Sequence, residues 1–201
     1  MKLHTIQALR AVAALLVLVY HTRAIEMDAI ARKGLNEAPM LSTFVQNGFS
    51  GVDFFFVISG FIMVHSSAGL FDRPEGARLF IARRIARIVP LYWAATTLFL
   101  LVLLASPALL NSEVPNLGQI AASYLFWPMA NAAGELQPIY SLGWTLNYEV
   151  FFYALLALCL ALPRPLLACC AGLAALCLLG PALPQTTATV FYANPLILEF
   201  T

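Results

Sequence analysis

Charge is what this sequence has least of. Asp, Glu, Lys and Arg make up 10% of its 201 residues, where a soluble domain carries about a quarter. That scarcity excludes an ordinary globular interior wrapped in a charged surface. The formal net charge of +1 gives no sign of a nucleic-acid partner, and none is expected. Cysteine is also sparse. Cys159, Cys169, Cys170 and Cys177 all lie in apolar stretches and lack the paired spacing of a zinc or redox site, so they read as small buried hydrophobes and no metal is expected. No internal repeat and no low-complexity linker interrupts the chain, which reads as one domain, 1–201.

What is abundant is apolar sequence, at 61% of residues. Ile88–Leu110 and Pro165–Leu198 contain no Asp, Glu, Lys, Arg or His, and a helix needs roughly 20 apolar residues to cross the hydrocarbon core of a bilayer. The class is all-α, a polytopic transmembrane helical bundle. Spans are predicted at about Leu3–Ala24, Gly48–Ser67, Val89–Ala108, Trp144–Leu162 and Leu166–Leu183. Asn194–Thr201 reads as the start of a sixth. The last of these stops within a few residues, so the sequence is expected to continue beyond Thr201. Pro90 is placed at the third helix's start, where a missing N–H costs nothing. Leu117–Met129 is apolar but short and closed by Trp127-Pro128, which suits an interfacial or re-entrant piece.

The first span resembles a signal peptide only superficially. Arg10 interrupts its apolar run, and His21, Arg23, Glu26 and Asp28 separate that run from Ala29-Ile30-Ala31, the small-residue mimic of a cleavage site. Orientation follows from the basic residues. Arg73, Arg78, Arg83, Arg84 and Arg87 fall in one short stretch, which the positive-inside rule assigns to the cytoplasm together with Lys2 and Arg164. Loops 109–143 and 184–193 are then external, and they contain no Lys or Arg. After the first span, Arg23, Arg32 and Lys33 are offset by Glu26, Asp28 and Glu37.

Ionisable groups inside spans are costly and mark functional candidates. Arg10 and His21 are eleven residues apart, which is close to three helical turns and roughly 16 Å along one face. That face carries a permanent cation at one end and a titratable base at the other; snorkelling of Arg10 to the headgroups and an interfacial Tyr20-His21 anchor are the structural alternative. In the second span, Asp53 is placed to cap a helix start, and Ser59-Gly60 to allow close packing or to line a site. Arg83, Arg84 and Arg87 at a helix entrance form either a topology signal or a phosphate-gripping patch. Glu149 stands inside the apolar fourth span beside Trp144, Asn147 and Tyr148, and a carboxylate there needs a partner or a proton. His21 lies toward the same side of the bilayer, so the two could meet, whereas Arg10 lies deeper toward the cytoplasm; as ionisable residues near spans, His65 and Glu199 are weaker cases.

LRAVAALLVLVYH, GVDFFFVISGFIM, RRIARIVPLYW and SLGWTLNYEVFFY occur in that order. Together they resemble the membrane acyltransferase-3 family, in particular its exopolysaccharide O-acetyltransferase branch. The resemblance covers essentially the whole chain; family members are longer, so the chain is expected to be the N-terminal part of a longer domain. It implies a multi-pass enzyme of the cytoplasmic membrane, N-terminus inside, moving acetyl or another short acyl group from cytoplasmic acyl-CoA to a hydroxyl of an exported polysaccharide or lipid-linked oligosaccharide. Acetyl-CoA is then a donor substrate, with no bound cofactor. It makes His21 the essential histidine and Arg10 its partner, and assigns Asp53, Ser59 and Gly60 to the second-helix motif. Arg84 and Arg87 fall in the basic motif, and Trp144 and Glu149 in the fourth-helix motif. The chemistry fits: imidazole is a suitable general base for a sugar hydroxyl, and Glu149 would orient it. Arg83, Arg84 and Arg87 would hold the CoA phosphates, with Arg10 meeting the donor farther in. Whether His21 acts as base or as acyl carrier stays open. A proton-coupled transporter or flippase and a non-catalytic subunit of a polysaccharide assembly are the alternatives.

Overall fold

The computed structural model describes residues 4–34, 50–71, 73–106, 114–131 and 134–201. Lys2 and Glu37, and the side chains of Asp28 and Arg32, lie outside the described residues. The described residues contain helices and no strand, and five helices are long and apolar enough to cross a membrane. The fold is an all-α polytopic bundle. The chain divides into two compact units. One is Met1–Val64 with Glu199–Thr201, and the other is His65–Leu198.

The first unit contains α1 (His4–Arg32) and most of α2 (Ser50–Ser67). α1 runs past the expected end of its span. Glu26 in the added turns pairs at 2.8 Å, with i, i+3 spacing, with Arg23 at the end of the expected span. Leu9, Val12, Leu15, Leu18 and Val19 remain exposed, an apolar surface suited to lipid rather than water.

In the second unit, α3 (Gly76–Ala105) has 30 residues and corrects the expected third span. It begins well before Val89, takes in the arginines as helical residues, and places Pro90 in its interior. The residues ahead of the proline, ARLFIARRIARIV, are mostly good helix formers. They continue the helix through a position where only one hydrogen bond, to the Ala86 carbonyl, is forgone. At 1.5 Å per residue α3 is about 45 Å long, against a hydrocarbon core of about 30 Å. Its arginine-bearing end therefore has room to stand clear of the lipid.

α4 (Leu117–Tyr124) is only eight residues, far too short to span, as its sequence predicts. A reciprocal capping box between Asn116 and Gln119 starts it. Its end is held by α3: Tyr92 donates to the Ser123 carbonyl at 3.1 Å and Trp93 Nε1 to the Tyr124 carbonyl at 2.9 Å. Trp127 N–H closes on Ala122 O at 2.9 Å around Phe126, whose φ is 56°. With these carbonyls satisfied, a helix can end in apolar surroundings.

α5 (Trp144–Cys159) follows a 3₁₀ turn at Ser141–Gly143, where Gly143 lies so close to Tyr92 that a Cβ would stand 2.5 Å from its ring. α6 (Pro165–Leu179) opens on a proline at its first turn and packs on α5. α7 (Thr187–Tyr192) is short, and Phe191 stacks on Tyr148 of α5 at 3.9 Å. The residues expected to open a sixth span form a 3₁₀ turn, Pro195–Phe200.

Candidate active site

The first helix builds its site from a stripe. Ile6, Arg10, Ala13, Val17 and His21 are among its half-buried or buried positions and recur every three or four residues, as one helical face requires. Gly51 of α2 sits on this stripe. A Cβ there would meet the Ala13 carbonyl oxygen at 2.8 Å and Val17 Cγ2 at 2.9 Å, so glycine is what lets the two backbones approach. Arg10 and His21 thus share the inward face expected from their spacing.

The orientation of His21 is specific. Its Nδ1 lies 2.8 Å from the Val17 carbonyl oxygen, one turn back. A carbonyl can only accept, so Nδ1 carries the proton and Nε2 holds the basic lone pair. Tyr20 abuts the imidazole edge-on with ring centroids 5.5 Å apart.

In α2, Asp53 lies in the first turn, where a carboxylate complements the helix dipole. Asp53, Phe56 and Gly60 follow i, i+3, i+7 spacing, and that face receives the segment Glu199–Phe200. The Asp53 and Glu199 carboxyls are within hydrogen-bonding reach of each other. The Phe56 and Phe200 rings lie 4.7 Å apart. A Cβ on Gly60 would fall 2.2 Å from the Phe200 carbonyl oxygen. Ser59 is half-buried beside them.

In the second unit the three arginines separate. Arg83 and Arg87 are exposed, whereas Arg84 is buried with 8% of its surface accessible. Arg84 donates through Nη2 to Ser66 Oγ at the end of α2. Its guanidinium carbon lies 5.4 Å from the Phe80 ring centre and 5.7 Å from that of Tyr153, within cation–π range. The Tyr153 hydroxyl in turn donates to Glu149 Oε1 at 2.6 Å. A chain therefore runs Ser66, Arg84, Tyr153, Glu149. Trp144 opens α5 with its ring edge-on to Tyr148 at 5.9 Å.

Within each unit the expected residues gather: Arg10 with His21 on one face, Asp53 with Gly60 on another, Arg84 near Glu149. Sequence reading passed over Tyr153, Phe80 and Ser66. For Tyr153 the signal was available, because Glu149 and Tyr153 stand at i, i+4, a spacing that brings helical side chains together. Arg84's inward turn has no counterpart in the local pattern; it depends on α5 being alongside. Among the described residues no group of three or more His, Cys, Asp or Glu side chains is placed to hold a metal.

An acyltransferase domain profile matches residues 3–200. The exopolysaccharide production protein ExoZ of Rhizobium meliloti (strain 1021) is 42% identical over 158 residues, covering 76% of this chain and 48% of that protein. The chain thus spans about half the length of the curated relative it matches. No solved structure matches it. Matched from residue 3 to residue 200, with its motif residues gathered helix by helix, this chain belongs to the acyltransferase-3 family.

Proposed function

We propose that the chain works as, or within, a membrane O-acyltransferase that moves a short acyl group, acetyl first among them, from cytoplasmic acyl-CoA to a hydroxyl of an exported polysaccharide. The observation that carries this reading is His21, half-buried with Nδ1 committed to Val17 and Nε2 left basic, on one face with Arg10. An imidazole so fixed is suited to act as a general base. The class of acceptor is taken from the ExoZ relative, whose name ties that protein to exopolysaccharide production.

In the reaction, Nε2 of His21 takes the hydroxyl proton as the sugar oxygen attacks the thioester carbonyl. The new C–O bond forms, the C–S bond breaks, and the leaving thiolate of CoA recovers the proton from the imidazolium. The exposed Arg83 and Arg87 suit the phosphates of CoA, because guanidinium groups grip phosphate oxygens in pairs. Buried Arg84 instead directs its charge toward Tyr153 and Glu149. The arginine-bearing end of α3 faces the cytoplasm on this reading, and the N-terminus lies on the same side.

The test is transfer of label from radioactive acetyl-CoA to glycans in membranes carrying the wild-type chain or His21→Ala. The expected result is label with the wild type and a fall of about 10²–10⁴-fold in the variant, the range for loss of a general base. A well-expressed His21→Ala variant labelling at the wild-type rate would sink the assignment.

A further inference from the structure

The phenol of Tyr153 is buried, with 4% of its surface accessible, and its hydroxyl has a defined task. A phenylalanine would fill the same ring site, as Phe152 does on the neighbouring position of α5. The hydroxyl adds a buried polar group, which stabilises nothing unless it is bonded. Its bond is to Glu149 Oε1 at 2.6 Å, and it is made along the helix at i, i+4, so the two side chains are held by one rigid element.

The other side of the ring is equally constrained. Phe80 of α3 meets it edge-on, with centroids 6.0 Å apart and planes at 90°. Arg84 places its guanidinium carbon 5.7 Å from the ring centre and is itself fixed by its bond to Ser66 Oγ. A cation over the ring draws electron density from the phenol and makes the hydroxyl a stronger donor to the carboxylate. The positive charge of α3 thereby reaches Glu149 through the phenol.

We infer that Tyr153 is a positioning residue for acyl transfer: its hydroxyl fixes the rotamer of the Glu149 carboxylate and couples that carboxylate to Arg84. The inference rests on the acyltransferase reading above. In functional terms, Glu149 is aimed by a tyrosine whose own position is set by the basic helix, so the carboxylate's geometry depends on α3.

The decisive variant is Tyr153→Phe, which removes one oxygen and keeps the ring for Phe80 and Arg84. In membranes carrying the full chain, with acetyl-CoA as donor, kcat is expected to fall about tenfold, the effect of losing one hydrogen bond to a charged group. KM for acetyl-CoA is expected to stay unchanged. The double variant Tyr153→Phe, Glu149→Gln should be no slower than Glu149→Gln alone, because the hydroxyl acts only through the carboxylate. A purely structural tyrosine would lower the melting temperature and the amount of folded protein while leaving kcat per folded molecule intact, and that result would overturn the inference. So would Tyr153→Phe turning over at the wild-type rate. A wild-type chain that transfers nothing would sink the acyltransferase reading itself, whereas wild-type transfer with an unaltered Tyr153→Phe sinks only the role of Tyr153.

Discussion

The imidazole Nδ1 of His21 and the carbonyl oxygen of Val17 lie 2.8 Å apart, one turn from each other on α1. The helix backbone itself therefore selects the histidine tautomer. The expected spectroscopic outcome, in protein labelled with ¹⁵N-histidine, is a protonated Nδ1 and an unprotonated Nε2 for neutral His21. A neutral His21 with its proton on Nε2 would contradict the geometry and remove the base from the position proposed for it.

The exposure of the three arginines separates their effects. Arg83→Ala and Arg87→Ala should each raise KM for acetyl-CoA several-fold with kcat nearly preserved, as loss of uniform donor binding does. Arg84→Ala should chiefly lower kcat and stability, since it unhooks Ser66, Phe80 and Tyr153 together. Steady-state kinetics on the single variants distinguish these patterns; an Arg84 effect confined to KM would contradict the burial of its side chain.

Gly60 and Gly69 offer a matched comparison. A methyl group at Gly60 meets the Phe200 carbonyl oxygen at 2.2 Å, while at Gly69 nothing lies within 4 Å. Gly60→Ala should destabilise the chain by about 1–3 kcal/mol, the usual cost of forcing extra volume into a packed site. Gly69→Ala should be close to neutral. Thermal unfolding in detergent reads the difference, and equal melting temperatures for the two variants would refute the close approach.

Phe126 reverses the ordinary ranking of alanine and glycine. Its φ of 56° is a left-handed conformation, while its ring packs on Tyr92 with centroids 4.6 Å apart. Both Phe126→Ala and Phe126→Gly lose the ring, at a cost of about 3–5 kcal/mol. Only glycine also escapes the left-handed penalty of about 1–2 kcal/mol. Phe126→Gly should therefore melt above Phe126→Ala.

Burial, together with the neighbouring Asp53, raises the Glu199 carboxyl to about 7, so below that pH Glu199 keeps a proton to donate to Asp53. Losing that proton removes the bond, so this contact contributes stability at low pH and loses it as pH rises through about 7. Asp53→Asn supplies the hydrogen-bond donor permanently. Its melting temperature should match the wild type near pH 5 and exceed it increasingly toward pH 9. A pH-independent difference would show that no proton is shared.

The spans and the residues worth watching were legible in sequence because membrane burial imposes long apolar runs and makes every ionisable group inside them conspicuous. Arg10 and His21 were even placed on one face by counting turns. The short α4 was legible from its length. Pro90 was not: a proline permits a helix start and, in a long helix, is also tolerated inside, and the sequence alone favoured the first. Nor was the sorting of Arg83, Arg84 and Arg87, which differ in environment only because α5 covers one side of α3. Tyr153 was hidden by its company, since in FFY it reads as one more apolar ring until its hydroxyl is seen against Glu149.

α3 carries Arg84 near one end and, eight positions on, the Tyr92 and Trp93 clasp that grips α4. Between them stands Pro90, where the hydrogen-bond ladder lacks a rung. The proline turn is therefore the easiest place for α3 to bend, and it separates the arginine-bearing turns from the turns that hold α4.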